Sequence, residues 1–287
     1  MRRRGAIAAH SQRGQSPTID AGAAAAQEVA LDGAAGWKPW TVWPAMAATL
    51  ATVLAGRALV RDGGDPRPGV VIGLIMLNLL CVGLAVLVAA AHGKVRDADF
   101  GLRRPRLLPR AAGLTIAIGV GLFVFSAAWA QALGLGDDAP SISDRLVADE
   151  STSQALLVLF LVAVATPLGE EFIFRGYVFR ALSNWRGTLP AAALTGLGFA
   201  AFHVGWLPIG AFVPVAVFGF GLCLLYHWTG SLYPSLAFHA LFNSLLAARV
   251  LGPTWQILLA VAFAVVGTLV IARLVAVLLG DGRSPSD

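Results

Sequence analysis

Eight apolar stretches follow one another through most of this 287-residue chain, at 40–60, 69–91, 111–133, 154–174, 189–206, 209–228, 232–250 and 255–279. A helix needs about 20 apolar residues to cross a bilayer. A chain in lipid must satisfy its own backbone hydrogen bonds, which leaves helices or closed barrels. These runs are longer than the 9–11 residues of a typical barrel strand and show no two-residue alternation. No internal repeat is visible. The chain is therefore expected to be an all-α, polytopic membrane helix bundle of about eight transmembrane helices. Composition agrees, with 57% hydrophobic and 13% charged residues, roughly half the charged fraction of a soluble domain.

The net charge of +5 does not point to nucleic acid, because the basic residues flank the apolar runs, where they set orientation in a membrane. The N-terminal region holds Arg2, Arg3, Arg4, Arg13 and Lys38. The second loop holds Lys94, Arg96, Arg103, Arg104, Arg106 and Arg110. Arg175, Arg180 and Arg186 are read as following the fourth segment. If every segment spans, these regions share one face of the membrane. The acidic third loop, with Asp137, Asp138, Asp144, Asp149 and Glu150 against Arg145, falls on the other. Both termini are expected in the cytoplasm of a multi-pass cell-membrane protein, with lipid as a partner. Residues 1–36 read as a disordered tail, because no apolar core follows the initial arginines as a signal peptide requires. Cys81 and Cys223 lie inside apolar runs and read as small buried hydrophobes. Trp37, Trp40, Trp43, Trp185, Trp206, Trp228 and Trp255 lie near segment ends and read as an aromatic belt.

Few strongly polar side chains remain inside the apolar runs, and such residues are costly enough in lipid to be functional candidates. Glu170, Glu171 and Arg175 occupy the fourth segment, His203 the fifth, and His239 with Asn243 the seventh. Asn78 in the second is isolated, and His92 and His227 sit at segment ends with no role assigned. Glu171 and Arg175 are four apart and share a helix face. Glu170 lies about 100° around the helix from Glu171. One carboxylate can thus pair with the arginine while the other faces elsewhere. His239 and Asn243 form a second i, i+4 pair, and Phe199 can pack beside His203 in the same way.

No Ser or Cys stands beside a convincing base, so a covalent nucleophile is not evident. A carboxylate and a histidine can activate a water, and a second histidine with an amide can stabilise the oxyanion on a scissile carbonyl. Glu170, His203 and His239 could instead ligate a divalent metal such as zinc that activates the water. The compact His-Glu-x-x-His zinc motif is absent, so the residues leave the cofactor open. The expected activity is peptide hydrolysis, on a peptide or membrane-protein substrate. Two other readings use the same residues: a non-catalytic membrane binder or bacteriocin-immunity protein, and a small proton-coupled transporter relaying protons through the two glutamates.

Glu-Glu-x-x-x-Arg at 170–175, Phe-x-x-x-His at 199–203 and His-x-x-x-Asn at 239–243, in order on successive membrane segments, resemble the CPBP (CAAX-processing and bacteriocin-processing, or Abi) family of intramembrane proteases. The resemblance covers about residues 150–255. It implies eight transmembrane helices with the site inside the bilayer. Glu170 would be the water-activating base assisted by His203, Glu171 and Arg175 would support and orient it, and His239 and Asn243 would form the oxyanion site. Both a metallo and a metal-free glutamate mechanism are argued for the family. The implied organisation is a disordered cytoplasmic tail (1–36), N-terminal transmembrane helices and loops (37–149), the protease core (150–255), and a last helix with a short tail (256–287).

One expectation follows from depth. Straight fourth and fifth spans would leave Glu170 and His203 near opposite faces, beyond side-chain reach. A kink or break is therefore expected at Pro167, with Glu170 opening a second helical piece near mid-depth.

Overall fold

The computed structural model describes residues 36–60, 68–134, 152–251 and 255–280. The proposed tail, apart from Gly36, and the acidic third loop lie outside them. Eight helices appear among the described residues: α1 (Val42–Val60), α2 (Pro68–Ala90), α3 (Leu108–Ala132), α4 (Gln154–Arg186), α5 (Thr188–His203), α6 (Phe212–Thr229), α7 (Leu232–Leu251) and α8 (Trp255–Leu279). Short 3₁₀ turns occupy Pro39–Thr41, Asp97–Phe100 and Ile209–Ala211. The described residues form no strand. The chain is a multi-pass helical membrane bundle, and among the described residues six helices are long and apolar enough to cross a membrane. The other two carry His203 and His239. α5 is only 16 residues long, and α7 is a continuous helix that carries the polar residues Ser235, His239, Asn243 and Ser244.

α4 departs most from expectation. It does not end near residue 174 and does not break at Pro167, but runs 33 residues from Gln154 to Arg186. Proline removes a backbone donor and should orphan carbonyls one turn earlier. Here the turn Leu161–Ala165 widens to a π-helix, and neighbouring helices supply the missing donors. Asn243 Nδ2 on α7 donates to the Val162 carbonyl at 2.9 Å. Thr268 Oγ1 on α8 lies 3.3 Å from the Ala163 carbonyl and 2.8 Å from that of Ala264. Such side-chain rescue is how membrane helices tolerate proline. A second π segment, Phe172–Phe179, follows the glutamates.

The basic residues after Glu171 are also not in a loop. Arg175 is fully buried and Arg180 is 2% exposed. Arg180 Nη1 donates to the Ala98 and Asp99 carbonyls and to the Tyr226 hydroxyl. The guanidinium lies 5.9 Å from the Trp37 ring centroid. It thereby gathers the α2–α3 connection, the start of the described chain and the end of α6 at one end of the bundle. Trp37 packs inside this cluster on Phe100 and Tyr177, and Trp206 lines a cavity, so neither belongs to an aromatic belt. Trp40, Trp43 and Trp185 are exposed, as a belt requires. Both cysteines are buried and unpaired, as expected.

The length of α4 removes the depth conflict. Sixteen residues separate Gln154 from Glu170, and sixteen separate Glu170 from Arg186, so Glu170 lies midway along the helix. The chain reverses at Gly187, whose φ of +78° suits glycine. α5 then returns for about 24 Å at 1.5 Å per residue, which equals the length of α4 it retraces. His203, the last residue of α5, arrives level with Glu170 because the two legs match. α5 and α6 cross closely at Gly196 and Gly219, where a Cβ on Gly196 would come 2.5 Å from the Ala216 carbonyl. Small residues permit such backbone approach in membranes.

Candidate active site

The two adjacent glutamates face different surroundings. Glu171 is fully buried. Its Oε1 accepts a 2.8 Å hydrogen bond from Arg175 Nη1 and another of 2.8 Å from His239 Nδ1. Arg175 Nη2 donates to the Gly219 carbonyl at 3.2 Å, and the guanidinium stacks 4.5 Å from the Phe199 ring centroid. This closed ion pair joins α4 to α6 and α7. Breaking one partner of such a pair costs more than the pair contributes net, because the remaining charge is left buried.

Glu170 points away from that cluster. Its Oε1 lies 3.7 Å from His203 Nε2 and its Oε2 lies 3.5 Å from His239 Nε2. Its side chain is 20% exposed, yet Oε2 is buried and makes no hydrogen bond to protein. The imidazole orientations have separate causes. His203 Nδ1 lies 2.8 Å from the Phe199 carbonyl, and His239 Nδ1 bonds a carboxylate oxygen already engaged by Arg175. Both partners are acceptors, so both Nδ1 atoms carry protons and both Nε2 atoms turn toward Glu170. Fixing one ring nitrogen to set the chemistry of the other is the usual way a histidine is prepared for proton transfer or ligation. Phe199 packs between the rings, 4.6 Å from His203 and 6.1 Å from His239. Phe218 closes the far side of His239 at 5.1 Å.

A cavity of about 230 Å³ opens beside this centre, between α1, α2, α4 and the end of α5. Glu170 and His203 form its polar wall, while Thr49, Thr52, Asn78 and Cys81 face it from α1 and α2. At Gly169 a Cβ would collide with the Asn78 carbonyl, so only glycine lets α2 lie this close beside the glutamates. Asn78 itself donates Nδ2 to the Leu74 carbonyl. His92 bonds the Val88 carbonyl and the Lys38 amide, and His227 contacts Thr188; neither lines the cavity.

Glu170, Glu171, Arg175, His203 and His239 thus converge. Asn243 sits one helical turn beyond His239, with one amide N–H committed to Val162. Sequence reasoning missed the Gly219 carbonyl, Thr268 and the two cavity threonines. Thr49 and Thr52, polar residues three apart in an apolar helix, were a usable signal; the carbonyl and Thr268 carried none. Among the described residues no group of three His, Cys, Asp or Glu side chains is arranged to hold a metal ion.

Residues 152–245 match the family model of the Rce1-like type II CAAX prenyl endopeptidases. The resemblance seen in the three motifs is borne out over this segment. It runs from α4 through most of α7 and leaves α8, with Thr268, outside. The chain is also 30% identical over 138 residues to an uncharacterized 24.3 kDa protein of Escherichia coli. That match covers 46% of this chain and 57% of the relative, so the chain spans less than two thirds of the length of the curated relative it matches. No solved structure matches.

Proposed function

We propose that this chain is an intramembrane endopeptidase that hydrolyses peptide bonds with a water activated by Glu170. The observation that carries the reading is the convergence of both imidazole Nε2 atoms on one under-bonded carboxylate at the wall of a membrane-depth cavity. A water about 2.8 Å from both Glu170 Oε1 and His203 Nε2 forms a reasonable triangle on their 3.7 Å separation. Glu170 takes a proton from that water, and the hydroxide attacks the scissile carbonyl carbon. The proton then passes to the leaving amine nitrogen as the C–N bond breaks. His239 has a carboxylate at each ring nitrogen, and in its doubly protonated form it donates to the oxyanion. The second amide N–H of Asn243 is the other candidate donor. Glu171 and Arg175 hold His239 in place.

The Rce1-like match supports a CAAX-protease-like reaction on a peptide or membrane-protein substrate. The charge pattern supports placing the end of the bundle that holds Arg180 and the α2–α3 connection in the cytoplasm.

The test is cleavage of a lipid-embedded candidate peptide by the reconstituted full chain, with and without chelator. Wild type is expected to cleave in both conditions, and Glu170→Gln to lose at least about 100-fold. Full cleavage by Glu170→Gln overturns the base assignment. Loss of wild-type cleavage with chelator overturns the metal-free route. Proton-coupled solute flux that disappears in Glu170→Gln reassigns the centre to transport.

A further inference from the structure

Four arginines of the α2–α3 connection and the first turn of α3 do not simply spread over a surface. Arg103, Arg104, Arg106 and Arg110 surround a cavity of about 260 Å³, closed on its far side by Trp228 and Gly230 at the α6–α7 turn. Among the described residues no acidic side chain lines it. The cavity has a built frame. Arg103 Nε donates to the Gly230 carbonyl at 3.0 Å, Ser231 Oγ donates to the Arg103 carbonyl at 2.6 Å, and the Leu232 amide bonds the Gly101 carbonyl at 2.8 Å. Two chain segments more than 120 residues apart are thus tied together around it.

The N-terminus of the 25-residue α3 opens at the same place, with no side-chain cap on its first amides and no acid in its first turn. Its positive dipole end adds to the arginine field. The surroundings select the form of the anion. Leu107 and Leu108 beside the cavity are 62% and 70% exposed, and Trp228 is 39% exposed. α3 begins and α6 ends here, and both are long and apolar enough to cross a membrane. A soluble anion has no use for this apolar rim, whereas a phospholipid places acyl chains against it and its phosphate among the guanidinia.

We infer that this cavity is a binding site for the phosphate headgroup of an anionic phospholipid. The site is independent of the peptidase reading. It lies at the bundle end, fixed to the turn that leads into α7, which carries His239.

Native mass spectrometry of the full chain in neutral detergent, titrated with phosphatidylglycerol, phosphatidylcholine or glycerol 3-phosphate, tests the inference. Wild type is expected to prefer phosphatidylglycerol over phosphatidylcholine by about tenfold or more. Arg104→Gln/Arg110→Gln removes two exposed charges and is expected to weaken phosphatidylglycerol binding about 25-fold, at about 1 kcal/mol per arginine. Arg110→Gln alone should fall between. Lys94→Gln/Arg96→Gln removes the same charge from the same connection outside the cavity, and should stay within about twofold of wild type. Equal losses in the two double variants, or no headgroup preference in wild type, overturn the site. Displacement of the lipid by equimolar glycerol 3-phosphate overturns the lipid assignment in favour of a soluble anion.

Discussion

Glu170 and Glu171 are neighbours in the chain and opposites in their surroundings. Glu171 lies in a fully packed cluster, where one carboxylate oxygen takes bonds from Arg175 and His239. Glu170 lies on a cavity wall with two imidazoles nearby and one buried oxygen unbonded. The 100° step between adjacent helical residues turns one acid toward α6 and α7 and the other toward α1 and α2. A buried carboxylate that takes a cation and an imidazole on one oxygen supports the fold and orients what it touches, even with its other oxygen unbonded. A poorly satisfied carboxylate in the same low-dielectric setting contributes little to stability and is free to exchange a proton.

The sharpest way to break this contrast is at the chemistry. Glu170→Gln preserves shape and removes the base, and should reduce peptide cleavage by about 10²–10⁴-fold while the thermal midpoint in detergent moves little. A large loss of stability instead would mean that Glu170 is as structural as its neighbour. The next largest effect belongs to the buried pair. Arg175→Ala leaves the Glu171 carboxylate without its cation and should destabilise by about 3–5 kcal/mol, read as a fall in thermal midpoint. Wild-type stability in that variant would dissolve the pairing.

Gly169→Ala tests how closely the cavity side is built. The added Cβ meets the Asn78 backbone, so α2 must shift. We expect a cost of about 1–3 kcal/mol and reduced cleavage, because the wall opposite Glu170 moves. The smallest effect is at α8. Thr268→Val removes the donor to the Ala163 carbonyl freed by Pro167, and should cost about 0.5–1.5 kcal/mol. Hydrogen exchange along 158–168 should rise in that variant. Unchanged exchange would show that Thr268 does not support the proline turn.

Pairings within one helix were legible in the sequence. Glu171 with Arg175 and Phe199 with His203 follow from four-residue spacing, and the structure shows both contacts. All eight of the described helices were legible as apolar runs. The course of α4 was not. Arg175 and Arg180 read as an exit from the membrane because hydropathy scores a charge without its partners. Those partners are the Glu171 carboxylate, Gly219, Ala98 and Asp99, three of them from distant parts of the chain. Pro167 read as a kink or break, and the break did not occur because Asn243 and Thr268, 81 and 105 residues away, reach the carbonyls it frees. The shortness of α5 was hidden by Val204–Leu207, which continue the apolar run but turn at Gly205 rather than extend the helix.

The contrast between the two acids can be measured without knowing any substrate. The thermal midpoints of Glu170→Gln and Glu171→Gln, two isosteric variants one residue apart, are compared in the same detergent. Glu171→Gln is expected to fall by about 6 °C or more, because Arg175 is left buried without its counter-charge. Glu170→Gln is expected to stay within about 2 °C of wild type. Equal shifts, or a larger fall for Glu170→Gln, would contradict the division of roles between the two glutamates.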